Sequence, residues 1–145
     1  REDMALGQYV TGMAFSNVGL GVVHGMAHPL SAFYDTPHGV ANATLLPYVM
    51  EYNAESPSRA KYLDIARAMG VKTDGMSVDE GVRAAVDAVK ALSLSIRIPQ
   101  RLHELGVREE DIPGLAVAAF NDVCTGGNPR PTSVEEIERL YHIAY

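Results

Sequence analysis

Residues 19–50 read GLGVVHGMAHPLSAFYDTPHGVANATLLPYVM, and their pattern decides the fold. From Val18 to Leu30 apolar residues and glycines crowd together, with a stop expected near Pro29. Small residues let a second backbone approach closely, so this segment reads as a buried helix. Thr36 then offers an N-cap, and Pro37 has the preset φ of a first helical position. The helix that starts there runs towards Asn53, with Val40, Ala41, Ala43, Leu45, Leu46, Val49 and Met50 spread over nearly all its sides. That is the pattern of a helix surrounded by others. Pro47 predicts a kink within it.

On the N-terminal side, Glu2 to Phe15 reads as a helix with Met4, Ala5, Val10, Met13 and Ala14 on one apolar side. Because residue 1 is Arg, the chain is expected to begin within a larger structure. On the C-terminal side, Ser58 to Met69 is amphipathic and Gly70 closes it. Ser77-x-x-Glu80 is a capping box that opens a helix through Val82, Ala85, Val86, Val89 and Leu92, and Pro99 stops it from running on. Gln100 to Leu105 reads as a short helical turn. Pro113 opens a helix to about Val123, Cys124 to Pro131 reads as loop, and Ser133-x-x-Glu136 caps the last helix. No segment alternates as a strand would. The expectation is one all-α domain, a bundle of seven or eight helices without internal repeats.

A chain of 145 residues suits a single core, and 47% hydrophobic with 21% charged residues is the balance of a folded protein. The formal charge of -6 comes without a basic stripe, which excludes nucleic acid and anionic membrane as natural partners. A small neutral or weakly charged ligand fits better. Cys124 is the single cysteine, so no intrachain disulfide forms and the cytoplasm is the expected compartment. No leader pattern and no run of about 18 apolar residues is present.

The chemistry-bearing residues concentrate in the opening stretch. His24 and His28 are four apart and share one helix face, and His38 opens the next helix. Neutral imidazole is a common ligand for zinc, iron and copper. His38 reaches the same point if the two helices pack antiparallel. The competing reading is three ordinary histidines, one at a helix end and two half-buried. Position 25 is Gly, so the zincin glutamate is missing. His103 and His142 lie among charged residues on amphipathic helices and are expected to be exposed. Gly19, Gly21 and Gly25 mimic a dinucleotide fingerprint, but that motif needs a preceding strand, so they read as packing glycines. The turn-formers from Cys124 to Arg130 suit either a pocket wall or a plain interhelical turn.

The run from Gly19 to Leu30, followed by Phe33-Tyr34 and by Thr36-Pro37-His38-Gly39-Val40-Ala41-Asn42-Ala43, resembles the signature of the iron-containing alcohol dehydrogenases. Asp122-Val123-Cys124-Thr125-Gly126-Gly127-Asn128-Pro129-Arg130 extends the resemblance, which covers about Met4 to Tyr145 and is strongest to members that reduce lactaldehyde. It implies a nucleotide-binding α/β domain followed by an all-helical domain, with this chain matching the later portion of the helical one. It implies Fe²⁺, with Zn²⁺ as a substitute, held by an Asp and three His. His24 and His38 match two of those ligands, and the other two are expected upstream of Arg1. It frees His28, near the nicotinamide of NAD(H), for proton transfer, a task imidazole suits because it exchanges protons near neutrality. Phe15 and Cys124 match positions that line the substrate pocket. Two departures are Ser31, where Gly is usual, and Asp35, where Asn is frequent. The implied activity interconverts small aldehydes and primary alcohols or diols in a homo-oligomeric full-length protein, with this portion inactive alone. The rivals are a stand-alone helical metal-binding protein in which Asp35 joins the three histidines, and a purely helical interaction module.

Overall fold

Caps and helix breakers set most element boundaries in the computed structural model, which describes residues 1–145. Seven α-helices follow one another: α1 Glu2–Val18, α2 Val22–Tyr34, α3 His38–Asn53, α4 Tyr62–Ala68, α5 Val78–Ser95, α6 Ile112–Phe120 and α7 Val134–Ala144. Short 3-10 turns cover Arg59–Lys61, Leu102–Leu105, Glu109–Asp111 and Thr125–Gly127. There is no strand, so the all-α expectation holds. Ser77 and Ser133 form the capping boxes read from the sequence, each accepting from the backbone N–H three residues on. No helix is long and apolar enough to cross a membrane.

Several boundaries differ from the sequence reading. The second segment starts at Val22, because Gly19 at φ 82° ends α1, and it continues through Pro29 to Tyr34. An interior proline costs about 3 kcal/mol or more. Burying Val22, Met26 and Leu30, all fully inaccessible, contributes about 1.5–3 kcal/mol each, which outweighs it. Thr36 does not cap α3. The cap is Pro37, whose carbonyl accepts from the Val40 and Ala41 N–H groups, and Thr36 is buried. Helix α6 stops at Phe120 rather than Val123. Beyond it the Asp122 Oδ1 accepts the Cys124 N–H at 2.8 Å, a local turn that competes with further helix. The apolar side expected on α1 is not covered, since none of its residues is buried.

Helix α2 packs between α3 and α6, α6 rests on α7, and α3 also meets α5 and α7. The main core joins Val22, Met26 and Leu30 of α2 to Leu45 and Val49 of α3, Ile112 and Leu115 of α6, and Ile137 and Tyr141 of α7. Tyr141 is fully buried and donates its hydroxyl to the Met26 carbonyl at 2.7 Å, which satisfies the polar end of a core aromatic. A second, smaller core holds α4 on α5, with Tyr62 donating to the Met50 carbonyl at 2.6 Å.

Candidate metal centre

The buried side of α2 carries Val22, Met26 and Leu30. At 100° per residue the opposite side carries His24 and His28, one turn apart. Asp35 closes the helix in the left-handed conformation, φ 53°, which Asp and Asn tolerate better than other side chains. The chain reverses there and α3 packs back on α2, so His38, its first residue, meets the α2 pair. The His38 ring centroid lies 5.4 Å from that of His24 and 5.4 Å from that of His28, and the latter pair is stacked at 22°. His24 and His28 are 6.1 Å apart. Phe15, at the end of α1, brings its ring to 6.4 Å from His24 and remains 41% exposed.

The loop after α6 closes the other side. It approaches α2 at two glycines. A Cβ on Gly25 would fall 1.9 Å from Thr125 Oγ1, and one on Gly127 would fall 2.2 Å from the Leu20 carbonyl oxygen. Both glycines therefore permit close packing; of the three expected to do so, Gly25 and Gly21 pack closely, the latter on Asn128, whereas Gly19 faces open space and serves the turn at φ 82°. Thr125 donates to the Ala119 carbonyl at 2.6 Å, and Asn128 exchanges amide hydrogen bonds with Asn53 at 2.8 and 3.0 Å. So anchored, the loop sets Asp122 against His28, with Oδ2 2.8 Å from Nδ1. His28, Asp122 and half-buried Cys124 present ligand-type atoms within 4.8 Å of one another.

Burial lowers the pKa of His24, and the charges that His38 and His28 would carry lower it further, against a smaller opposing pull from Asp122. Its lone pair is thus available at neutral pH. Burial by itself would raise the Asp122 carboxyl, but hydrogen bonds from the Cys124 backbone, from His28 and from the Cys124 side chain together hold it below the usual carboxylate range. Burial, then the neighbouring Asp122, pushes the Cys124 thiol up, which favours the protonated thiol over the thiolate.

His24, His28, His38, Phe15 and Cys124 therefore lie near one another. Asp35 does not join them: it is exposed, and no cluster of three ligand-type side chains includes it. Asp122 was missed. Its signal was a short acidic side chain two residues before Cys124, a spacing suited to a local turn. Ser31 buries its hydroxyl without a hydrogen-bond partner. His103 and His142 are exposed, the first beside the Tyr145 carbonyl and the second 3.7 Å from Glu109. A cavity of about 480 Å³ near Phe33, Tyr34, Arg108 and Asp111 contains none of the site histidines.

The donor chemistry fits a divalent metal. His24 and His38 come from two packed helices and bring two imidazole rings, a ligand type such ions accept, to 5.4 Å between centroids. Residues 1–145 match the family model described as "Fe-containing alcohol dehydrogenase family, C-terminal" over their full length. The chain belongs to the iron-containing alcohol dehydrogenase family. Within it, lactaldehyde reductase of Escherichia coli (strain K12) is 65% identical over 144 residues, 99% of this chain and 37% of that protein. The 1,3-propanediol dehydrogenase of Citrobacter freundii is 46% identical over 145 residues, 100% of this chain and 37% of that protein. An alcohol dehydrogenase from Oenococcus oeni superposes with a TM-score of 0.88 at 40% identity, over 92% of this chain and 35% of that one. The chain thus spans about 37% of the length of the curated relatives it matches, and its fold is that of their helical part.

Proposed function

We propose that this chain is the helical, metal-holding part of an iron-dependent, NAD-linked alcohol dehydrogenase that interconverts small aldehydes of the lactaldehyde kind with primary alcohols or diols. The meeting of His24, His28 and His38 from two helices, with ring centroids 5.4 to 6.1 Å apart, carries the reading. It is supported by relatives named for lactaldehyde and 1,3-propanediol chemistry.

In this reading His24 and His38 hold Fe²⁺, with Zn²⁺ as a substitute, and an Asp and a His upstream of this chain complete the shell. The bound ion supplies Lewis acidity towards a substrate oxygen. His28, beside both ligand histidines, passes the proton that the substrate hydroxyl gains or loses. Phe15 forms an apolar wall next to His24, and Cys124 borders the opposite side, so the two limit the bulk and polarity of the substrate's tail. The glycine segment does not fit NAD(H). No strand precedes it, and Gly25 is covered by Thr125 of the loop after α6. The nucleotide belongs, in this reading, to an upstream α/β domain. The stand-alone metal-binding reading does not gain Asp35, which is exposed and outside the group of ligand-type side chains formed by His28, Asp122 and Cys124.

The test is anaerobic NADH oxidation with lactaldehyde by the complete, Fe²⁺-loaded protein. Turnover is expected, and a His24→Ala, His38→Ala double variant should lack it. A wild type that keeps its iron yet is silent across small aldehydes would refute the assignment.

A further inference from the structure

We infer that Asp122 is a positioning residue that fixes the tautomer and orientation of the His28 ring, so that Nδ1 carries the hydrogen and Nε2 is the nitrogen left to exchange a proton. The inference rests on the reading of His28 as the proton carrier. An imidazole free in water can rotate and can hold its hydrogen on either nitrogen, and only one of the resulting arrangements suits a given proton path. The partner of the other nitrogen decides which arrangement exists.

Here that partner is unambiguous. Asp122 Oδ2 lies 2.8 Å from His28 Nδ1. A carboxylate only accepts, so Nδ1 must donate. The other oxygen, Oδ1, accepts the Cys124 N–H at 2.8 Å, which prevents the carboxyl group from turning away. The Asp122 side chain is 18% exposed and that of His28 is 38% exposed, so the contact forms at the floor of the site rather than at a freely solvated surface. Hydrogen bonds hold the carboxyl in its ionised form despite its burial. Because the loop is seated on Gly25 through Thr125, the same side chain joins the proton carrier on α2 to the wall that Cys124 provides. The His38 ring stacks against the His28 ring at 22°, so the ring meets Asp122 at its edge and His38 over a face.

Two substitutions separate this role from a purely structural one. Asp122→Asn keeps the shape but can turn a donating amide towards Nδ1. Asp122→Ser keeps a short acceptor for the Cys124 N–H while losing the reach to His28. In the complete metal-loaded protein, with Zn²⁺ as a diamagnetic ion and ¹⁵N-labelled histidine, long-range ¹⁵N–¹H spectra assign the tautomer, and a His28→Gln variant identifies the His28 signals. The wild type should carry its hydrogen on Nδ1, and both variants should shift His28 towards the Nε2–H form. With Fe²⁺, kcat should fall about 10²-fold or more, within the ~10²–10⁴ that a placed acid–base group contributes, with KM nearly unchanged. A wild-type His28 already in the Nε2–H form, or a tautomer that Asp122→Asn leaves unaltered, overturns the inference. So does a tautomer that switches while kcat stays at the wild-type level. An inactive wild type would sink the dehydrogenase reading instead, and the tautomers would still decide the claim about Asp122.

Discussion

Gly25 shapes the site through the side chain it lacks. Its missing side chain lets Thr125 sit directly on α2, one of the contacts that seat the loop carrying Asp122 and Cys124. Gly25→Ala would force the new methyl into Thr125 Oγ1, at 1.9 Å, and against the Ala119 carbonyl at 3.1 Å. A cost of about 1–3 kcal/mol is expected, as for other overpacked positions, measured by urea unfolding of the complete protein. Loss of the His28–Asp122 contact should accompany it. Tyr141→Phe is the milder counterpart. It removes one buried hydrogen bond to Met26 and should cost about 0.5–1.5 kcal/mol, with the metal site unaffected. Spacing singled out His24 and His28, and only the resemblance paired His24 with His38. Asp122 was not readable, because nothing local to an Asp at the end of an apolar helix says that it faces a histidine 94 residues earlier.

At the scale of elements, the ends of helices are where sequence reasoning did best and worst. Both capping boxes were legible, since all their parts lie within four residues. Ser77→Ala should lower stability by about 1 kcal/mol, seen as a shifted unfolding midpoint, because it strips the Glu80 N–H of its acceptor. Pro29 was misread as a stop because the force that carries α2 past it is tertiary: Leu30, one residue on, is completely buried against other helices. The end of α6 was misplaced for the opposite reason, a local turn at Asp122 outweighing a run of helix-compatible residues. A contact between elements also predicts a pH effect. Tyr34, the last residue of α2, donates to Asp111 just before α6, and this bond, then Arg108, lowers the Asp111 carboxyl below its ordinary value. A depressed carboxyl stabilises the fold fully above the unfolded value of about 3.9 and loses that effect as pH falls through the folded one. The stability gap between wild type and Asp111→Asn should therefore be largest near neutrality and shrink below about pH 3.9, followed by unfolding curves across that range.

At the scale of the molecule, α1 leaves its apolar residues uncovered. Met4, Tyr9 and Val18 are 77%, 61% and 81% exposed, and no residue of that helix is buried. Apolar area of this kind is covered in a stable protein, and the chain spans about 37% of its curated relatives. The 145-residue chain alone should bind a hydrophobic dye more strongly than the complete protein and should turn over no aldehyde. The fold class was legible throughout, since helical periodicity is a local property. The division of labour among three nearby histidines was not, since spacing alone is the same for a ligand and for a proton carrier. That division is the central claim, and iron content measured by elemental analysis on purified single variants of the complete protein tests it most directly. His24→Ala and His38→Ala should each lose most of their bound iron, while His28→Ala should keep iron near the wild-type level and lose turnover. Iron lost from His28→Ala as fully as from the other two, or retained in all three, would contradict the account.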